Sequence, residues 1–424
     1  MSIQDVIDGR SRWCVVQGDV LSALDVGPVF DAVLCDPPYE LTSGGNTGFM
    51  GQRWDGSGVS FRAETWARVL SHCKPGAPLM AFGGTRTFHR MTCAIEDSGW
   101  DIRDCLAEFF SPDVAAEAFL SSLSDAQLKA FDRAFHSAPN MAWVFGSGFP
   151  KSLNVSAAID KATSATSSEP STDAAKQWQG YGSSLKPAYE PIVLARKPLD
   201  GTVANNCQAH GCGALAIDAS RIAGAPRNPG FTGTKGIASD GIFNSADNSK
   251  LIGYESPAGR WPANLLLDAD SAALLDEQTG RLAPSIPHVR HNSARPQSVA
   301  KGADAAHVTR VGADDAGGAS RFFYTSKASR TDRDHGLAAR NLHPTVKPTD
   351  LIEYLARLIL PPKRATPRLL YVPFAGSGSE MIGALRAGWD GVIGVEMNYA
   401  DLAIERLTNA DTAHQSDLFA VVAR

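Results

Sequence analysis

The stretch from 368 to 396 constrains this chain most. It reads as a strand (368–372), the loop Phe374-Ala375-Gly376-Ser377-Gly378-Ser379, a helix (379–387) closed by Gly388, a second strand (391–395), and then Glu396. That is a βαβ unit. A parallel crossover of this kind commits a chain to a sheet covered by helices. Apolar runs at 13–17, 31–35, 78–82 and 141–145, each closed by Gly or Asp, predict further buried parallel strands. Helical spacing at 60–72 and 86–97 places helices between them. A strand is expected at 191–199, a helix at 350–360 ended by Pro361 and Pro362, and a last helix at 400–409. The expected class is therefore α/β, with a Rossmann-like doubly wound sheet.

Composition narrows the setting. The 424 residues suggest about three domains, or one large domain with an insertion. With 43% hydrophobic and 20% charged residues the chain is globular. No apolar run approaches the ~20 residues of a membrane span, and the first residues carry no apolar signal stretch. Seven cysteines without close-set pairs argue against a disulfide framework. The expectation is a cytoplasmic protein with no membrane partner. An amphipathic helical insert is expected at 111–138, an exposed Ser/Thr/Gly-rich linker at 162–184, and a loop-rich, function-bearing region over 200–320. The expected division is 1–200, 201–330 and 331–424.

The net charge of −5 disfavours a protein that coats nucleic acid non-specifically. The charge is uneven, however. Residues 1–60 carry three basic and eight acidic side chains, and residues 281–330 carry eight basic and three acidic ones. That leaves room for a local anionic partner, or for a solvated loop with a surplus of Arg.

Three groups of residues carry chemistry. In the loop 374–379, small residues let the backbone approach a ligand, and a helix N-terminus presents free N–H groups. No Lys follows, so this is not a phosphate loop. Glu396 lies 20 residues beyond Gly376, where an acidic side chain commonly takes the ribose hydroxyls of a nucleoside cofactor. The second group is Asp36-Pro37-Pro38-Tyr39, straight after an apolar strand. It offers a carboxylate, a carbonyl between rigid prolines and an aromatic face. That set suits an exocyclic amino group on a planar base; the alternative is an ordinary Pro-rich turn. The third group is Arg321, Lys327, Arg330 and Arg333 around Phe322-Phe323-Tyr324, which suits phosphate contact and base stacking. Cys207, His210 and Cys212 lack a fourth ligand at a usual spacing, so no metal is expected.

DPPY at 36–39, the loop at 374–379 and Glu396 together resemble the S-adenosylmethionine-dependent amino-methyltransferases of DNA. DPPY near the N-terminus and the glycine loop near the C-terminus look like that family's permuted, β-type order. The run His343-Pro344-Thr345-Val346-Lys347-Pro348 is similar to the HPTxKP signature of that group. FGGTRTFHR at 82–90, GSGFPKSLN at 146–154, KPAYEPIVLARKP at 186–198 and SRFFYTSKASR at 320–330 resemble bacterial and phage DNA methylases.

The resemblance covers most of the chain and implies a site. Asp36, Pro37, Pro38 and Tyr39 are the expected catalytic residues. Asp19, Asp36, His343, Thr345, Lys347, Phe374, Ala375, Gly376, Ser377, Gly378, Ser379 and Glu396 are expected around the cofactor. Arg53, Trp54, Arg321, Lys327 and Arg330 are expected at DNA. It implies methylation of adenine N6 in double-stranded DNA of a bacterial or phage-infected cell. N4-methylation of cytosine, a silent DNA-binding protein and a dinucleotide-dependent oxidoreductase stand as alternatives. A homodimer and a restriction partner are left open. Two departures stand out: the 111–138 insert, and Glu380 where the family loop usually has Thr.

Overall fold

The computed structural model describes residues 2–41, 53–103, 140–145, 153–162, 169–185, 188–224, 259–281, 288–289, 309–310, 316–326, 334, 337, 341, 343 and 346–410. The chain divides into two units. The first comprises Met1–Ala216, Asn264–Ser271 and Ser326–Arg424, and the second Ile217–Ala263 and Ala272–Thr325.

Short apolar runs closed by turn residues make the strands of the first unit. They are β1 (Trp13–Gln17), β2 (Ala32–Cys35), β3 (Pro78–Phe82), β4 (Asp101–Ile102), β5 (Asn140–Val144), β6 (Tyr189–Arg196), β7 (Leu265–Asp268), β8 (Leu369–Val372) and β9 (Gly391–Glu396). Every residue of β2, β3 and β8 is buried, as strands covered on both faces require. The sheet order is β1-β9-β8-β2-β3-β6-β5-β7, with β4 beside β6. β1, β9, β8, β2 and β3 run parallel. β6 is antiparallel to β3 and β5, and β5 is parallel to β7. The two C-terminal strands thus lie between the first two N-terminal ones. Gln17 pairs with Glu396, so the ends of β1 and β9 coincide.

Buried ion pairs fix this arrangement. Asp31, fully buried before β2, accepts from Lys74 Nζ at 2.8 Å, Arg364 Nη2 at 2.6 Å and the Leu369 backbone N–H at 2.8 Å. Its carboxylate therefore ties the start of β8 to the start of β2. Arg368 holds Asp390 through Nε at 2.7 Å and Nη2 at 2.9 Å, which sets the start of β9 beside β8.

The helices of the first unit are α1 (Ile3–Ile7), α2 (Ala63–Ser71), α3 (Phe88–Asp97), α4 (Val155–Ala162), α5 (Asp173–Gln177), α6 (Val203–His210), α7 (Thr349–Leu358) and α8 (Ser379–Ala387). Residues 400–410 are also helical. α7 buries Leu351, Ile352, Tyr354, Leu355 and Leu358, the stripe expected of an amphipathic helix. Among the described residues no helix is long and apolar enough to cross a membrane.

Three expectations need revision. The helix expected at 60–72 begins at Ala63, after a separate turn Val59–Phe61. Ser60 is drawn away because its hydroxyl donates to the Pro38 carbonyl and its own carbonyl accepts from Trp66 Nε1. The expected linker at 162–184 holds α5, which polar contacts anchor. Asp160 accepts from Ser171 N–H at 2.8 Å and from Thr172 Oγ1 at 2.8 Å, and Ser156 Oγ donates to the Ala175 carbonyl. The region 200–320 is not loop throughout: α6 falls in it, and β7 is a strand of the main sheet. The insert at 111–138 lies outside the described residues.

In the second unit Ile222 and Arg260 exchange backbone hydrogen bonds, and His288–Val289 pairs with Thr309–Arg310. Asp276 accepts from both the backbone N–H and the hydroxyl of Ser320 at 2.8 Å.

Candidate active site

The parallel strands β1, β2, β8 and β9 end on one edge of the sheet, where open α/β sheets bind ligands. The segment Asp36-Pro37-Pro38-Tyr39 leaves the end of β2 there. Two hydroxyls fix its backbone: Ser60 Oγ donates to the Pro38 carbonyl at 2.8 Å, and Thr87 Oγ1 to the Tyr39 carbonyl at 2.6 Å. Glu40 follows in the left-handed region at φ 55°, a conformation that costs a non-glycine residue roughly 1–3 kcal/mol. Asp55 holds it there by accepting from the Glu40 and Leu41 N–H groups at 2.8 and 3.2 Å. Gly84 packs tightly beside this turn, since a Cβ there would stand 3.1 Å from Tyr39 Cδ2.

A buried cluster of charge surrounds Asp36. Lys347 Nζ donates to Asp36 Oδ2 at 2.7 Å and to the Tyr39 hydroxyl at 2.9 Å, and lies 3.3 Å from Glu190 Oε2. The Tyr39 hydroxyl donates onward to Glu190 Oε2 at 3.2 Å. The ammonium also sits 5.1 Å from the Tyr39 ring centre and 4.8 Å from that of Phe82. Asp36 Oδ1, in contrast, is shielded from solvent and has no hydrogen-bond partner. A buried acceptor left unpaired costs about 1–3 kcal/mol, which a ligand donor would recover.

Burial pushes the Tyr39 hydroxyl well above its ordinary value, reinforced by the Asp36 and Glu190 charges. Burial also raises Glu190, and Lys347 opposes that shift. Lys347 is itself raised, because the attraction of Asp36 and Glu190 outweighs the cost of burying its charge. Glu380, 4% exposed in the first turn of α8, is pushed up to about 8, chiefly by burial and then by the Asp36 charge. Its protonated form is thereby favoured, which spares the cluster a third negative charge.

The glycine loop lies between β8 and α8. Gly376 and Gly378 take φ of 50° and 82°, a region open to glycine at little cost. The Gly376 N–H donates to Glu396 Oε2 at 2.7 Å, while Glu396 Oε1 accepts from Asn398 and Tyr399 N–H at 2.8 and 3.1 Å. Arg406, fully buried, spans the far side of the loop. It donates to the Ser377 carbonyl at 2.8 Å, Ser377 Oγ at 2.9 Å and Ser379 Oγ at 3.0 Å. His343 backs Gly376, where a Cβ would meet its Nε2 at 3.2 Å. The His343 ring is edge-on to Tyr399 with centres 4.6 Å apart, and stacks on Trp54 at 6.1 Å. Asp19 is exposed beside the end of β9, since the Gly18 N–H donates to the Glu396 carbonyl at 3.0 Å. Its Oδ1 accepts from the Leu21 N–H at 2.9 Å.

The structure thus joins Asp36, Tyr39 and Lys347 in one cluster, and Gly376, Glu396 and His343 in another, with Trp54 against His343. Lys347, expected at the cofactor, has its ammonium on Asp36 and Tyr39. Arg321 belongs to the second unit. There it lies over Phe322 at 4.3 Å and donates to the Gly317 and Gly318 carbonyls, while Arg260 lies over the same ring at 4.9 Å. Thr345, Lys327, Arg330 and Arg333 lie outside the described residues, and Arg53 opens the short turn Arg53–Gly56. His210 Nε2 faces Asp200 at 3.1 Å, and the Cys212 thiol faces the Pro75 carbonyl at 3.4 Å. Among the described residues no group of three or more His, Cys, Asp or Glu could hold a metal ion.

Glu190, Arg406 and Asp55 are the site residues that sequence reasoning missed. Glu190 had a usable signal: a carboxylate next to an apolar strand run is seldom buried without a partner. Arg406 and Asp55 gave none, because their partners are loop backbone and hydroxyl groups.

No family model matches the sequence, and no curated protein matches it. Among solved structures, the complex of M1.HpyAVI with SAM aligns over 93% of this chain and 98% of its own at 12% identity and TM-score 0.37. A Thermus thermophilus protein described as a DNA modification methylase aligns over 93% and 94% at 13% identity and TM-score 0.37. PvuII DNA methyltransferase, described as cytosine-N4-specific, aligns over 93% and 86% at 12% identity and TM-score 0.36. Likeness at this level assigns neither reaction nor substrate to this chain.

Proposed function

We propose that this chain is an S-adenosylmethionine-dependent DNA methyltransferase of the permuted, β-type arrangement, and that it methylates the N6 amino group of an adenine flipped out of the duplex. The observation that carries the proposal is Asp36 Oδ1. It is a buried acceptor with no partner, on a rigid loop beside a fixed tyrosine ring, at the strand edge that also holds the glycine loop and Glu396.

The residues fit the cofactor. Positive φ at Gly376 and Gly378 opens the loop to close approach, Glu396 presents a carboxylate for ribose hydroxyls, and Asp19 presents one for an adenine amine. When bound, S-adenosylmethionine supplies an electrophilic methyl group on a sulfonium.

The chain's own part is to prepare the amine. Its lone pair is delocalised into the base, and flipping the base costs a few kcal/mol. Asp36 Oδ1 would accept one amine N–H and the Pro37 carbonyl the other, turning the lone pair toward the methyl group. Tyr39, its hydroxyl tied to Glu190 and Lys347, would stack on the ring. An amine so held would accept the methyl group, the pair of the broken S–C bond would stay on sulfur, and the surplus proton would pass to solvent. Orientation and fixed acceptors supply the acceleration. Cytosine N4 would use the same acceptors; the DPPY resemblance favours adenine.

The test is transfer of radiolabelled methyl from S-adenosylmethionine to unmethylated duplex DNA. Wild type should label DNA, and Asp36→Asn should lose about a hundredfold or more in rate while still binding the cofactor. Equal labelling by the variant would exclude this role for Asp36.

A further inference from the structure

We propose that Lys347 and Glu190 form a clamp of positioning residues that leaves Asp36 with a single free acceptor, Oδ1, aimed at the substrate amine. The inference rests on the methyltransferase reading and assigns Lys347 a task different from contacting the cofactor.

An ammonium has three N–H donors and no acceptor. Lys347 is 6% exposed, and three oxygens stand within reach of it: Asp36 Oδ2 at 2.7 Å, the Tyr39 hydroxyl at 2.9 Å and Glu190 Oε2 at 3.3 Å. Its capacity is filled by the protein, so it has no donor to spare for a cofactor carboxylate. The direction of the network follows. Lys347 donates to Tyr39, so the tyrosine proton turns to Glu190, which accepts it at 3.2 Å. Asp36 can therefore neither rotate nor exchange its two oxygens without breaking a buried ion pair. What remains is Oδ1, buried and without a partner. Glu190 comes from β6 and Lys347 from the segment before α7, so the clamp also ties β6 to the catalytic loop.

Five elements bring charge to this point. Asp36 and Tyr39 come from the loop after β2, Glu190 from β6, Lys347 from the segment before α7, and Glu380 from α8, with Arg406 acting on Glu380 from the helix at 400–410. Lys347 is the cation that Asp36 and Glu190 share. Without it the Asp36 and Glu190 carboxylates lose the cation they share, and Glu190, already raised by burial, takes up its proton at a higher pH still.

The experiment compares wild type with Lys347→Met, Lys347→Arg and Glu190→Gln. It measures turnover against pH at saturating S-adenosylmethionine, together with cofactor affinity by calorimetry. For Lys347→Met the expected results are a turnover loss of about thirtyfold or more, a cofactor Kd within about twofold of wild type, and an acid limb displaced to higher pH by about one unit. Lys347→Arg should restore part of the acid limb, and Glu190→Gln should move it to lower pH, since one carboxylate fewer shares the ammonium. A large rise in Kd with an unmoved acid limb would place Lys347 on the cofactor and overturn the clamp. Loss of thermal stability with an unmoved limb would make it merely structural.

A readout without turnover keeps the inference separate from the parent reading. Acetylation of Lys347, followed by peptide mass spectrometry, should be slow in wild type and about tenfold faster in Asp36→Asn/Glu190→Gln, because each lost ion pair frees the amine. A wild type that transfers no methyl group sinks the methyltransferase reading alone. An unprotected Lys347 in the wild type sinks the clamp alone.

Discussion

Glu380 is a carboxylic acid buried in the first turn of a helix, close to a second carboxylate. Such a group folds more readily protonated than ionised. With a folded value of about 8 against an ordinary 4.5, the folded protein keeps a proton that the unfolded chain releases above about pH 4.5. The stability this gives is complete below pH 4.5. It is lost as pH rises through about 8 and is flat beyond. Glu380→Gln copies the protonated shape without the titration. The variant should melt at the wild-type temperature near pH 4.5 and increasingly above it toward pH 8, by an amount equivalent to a few kcal/mol. Thermal melts at the two pH values check this; parallel curves would show that Glu380 is ionised throughout.

At the scale of elements, close packing between α7 and α8 sets the base of the glycine loop. Gly383 faces α7 so tightly that a Cβ would stand 2.6 Å from Ile352 Cγ2 and 2.9 Å from the Glu353 backbone nitrogen. Alanine would gain ~1 kcal/mol of helix propensity at this position, but overpacking against backbone costs ~1–3 kcal/mol. Gly383→Ala is therefore expected to destabilise by up to about 2 kcal/mol, read as a lower midpoint in urea. A rise in the midpoint would mean that the helices separate freely. Elements of this kind were largely legible. β1, β3 and α8 fall where their apolar spacing puts them, because local pattern and burial agree. α1 was not legible: five residues have too little periodicity, and the Ser2–Asp5 capping box carries it. β7 was missed because its four residues stand in a polar stretch and pair with β5 far away in sequence.

At the scale of the molecule, sequence points to candidate residues but not to where distant ones meet. Asp36 and the residues of the glycine loop could be read directly, as loops after strands. That Lys347 lies on Asp36, 311 residues away, depends on β8 and β9 entering the sheet between β1 and β2. That order is set by buried pairs such as Asp31 with Arg364, which no local pattern announces. The same distance hid Glu190, whose partners come from both ends of the chain.

Nucleoside mass spectrometry separates methylation of adenine, methylation of cytosine and neither. The purified protein is mixed with S-adenosylmethionine and unmethylated genomic DNA, the DNA is digested, and modified bases are measured with Asp36→Ala as control. Wild type should yield N6-methyladenine, and the variant none. N4-methylcytosine would overturn the base assignment, and absence of any methylated base despite cofactor binding would contradict the function itself.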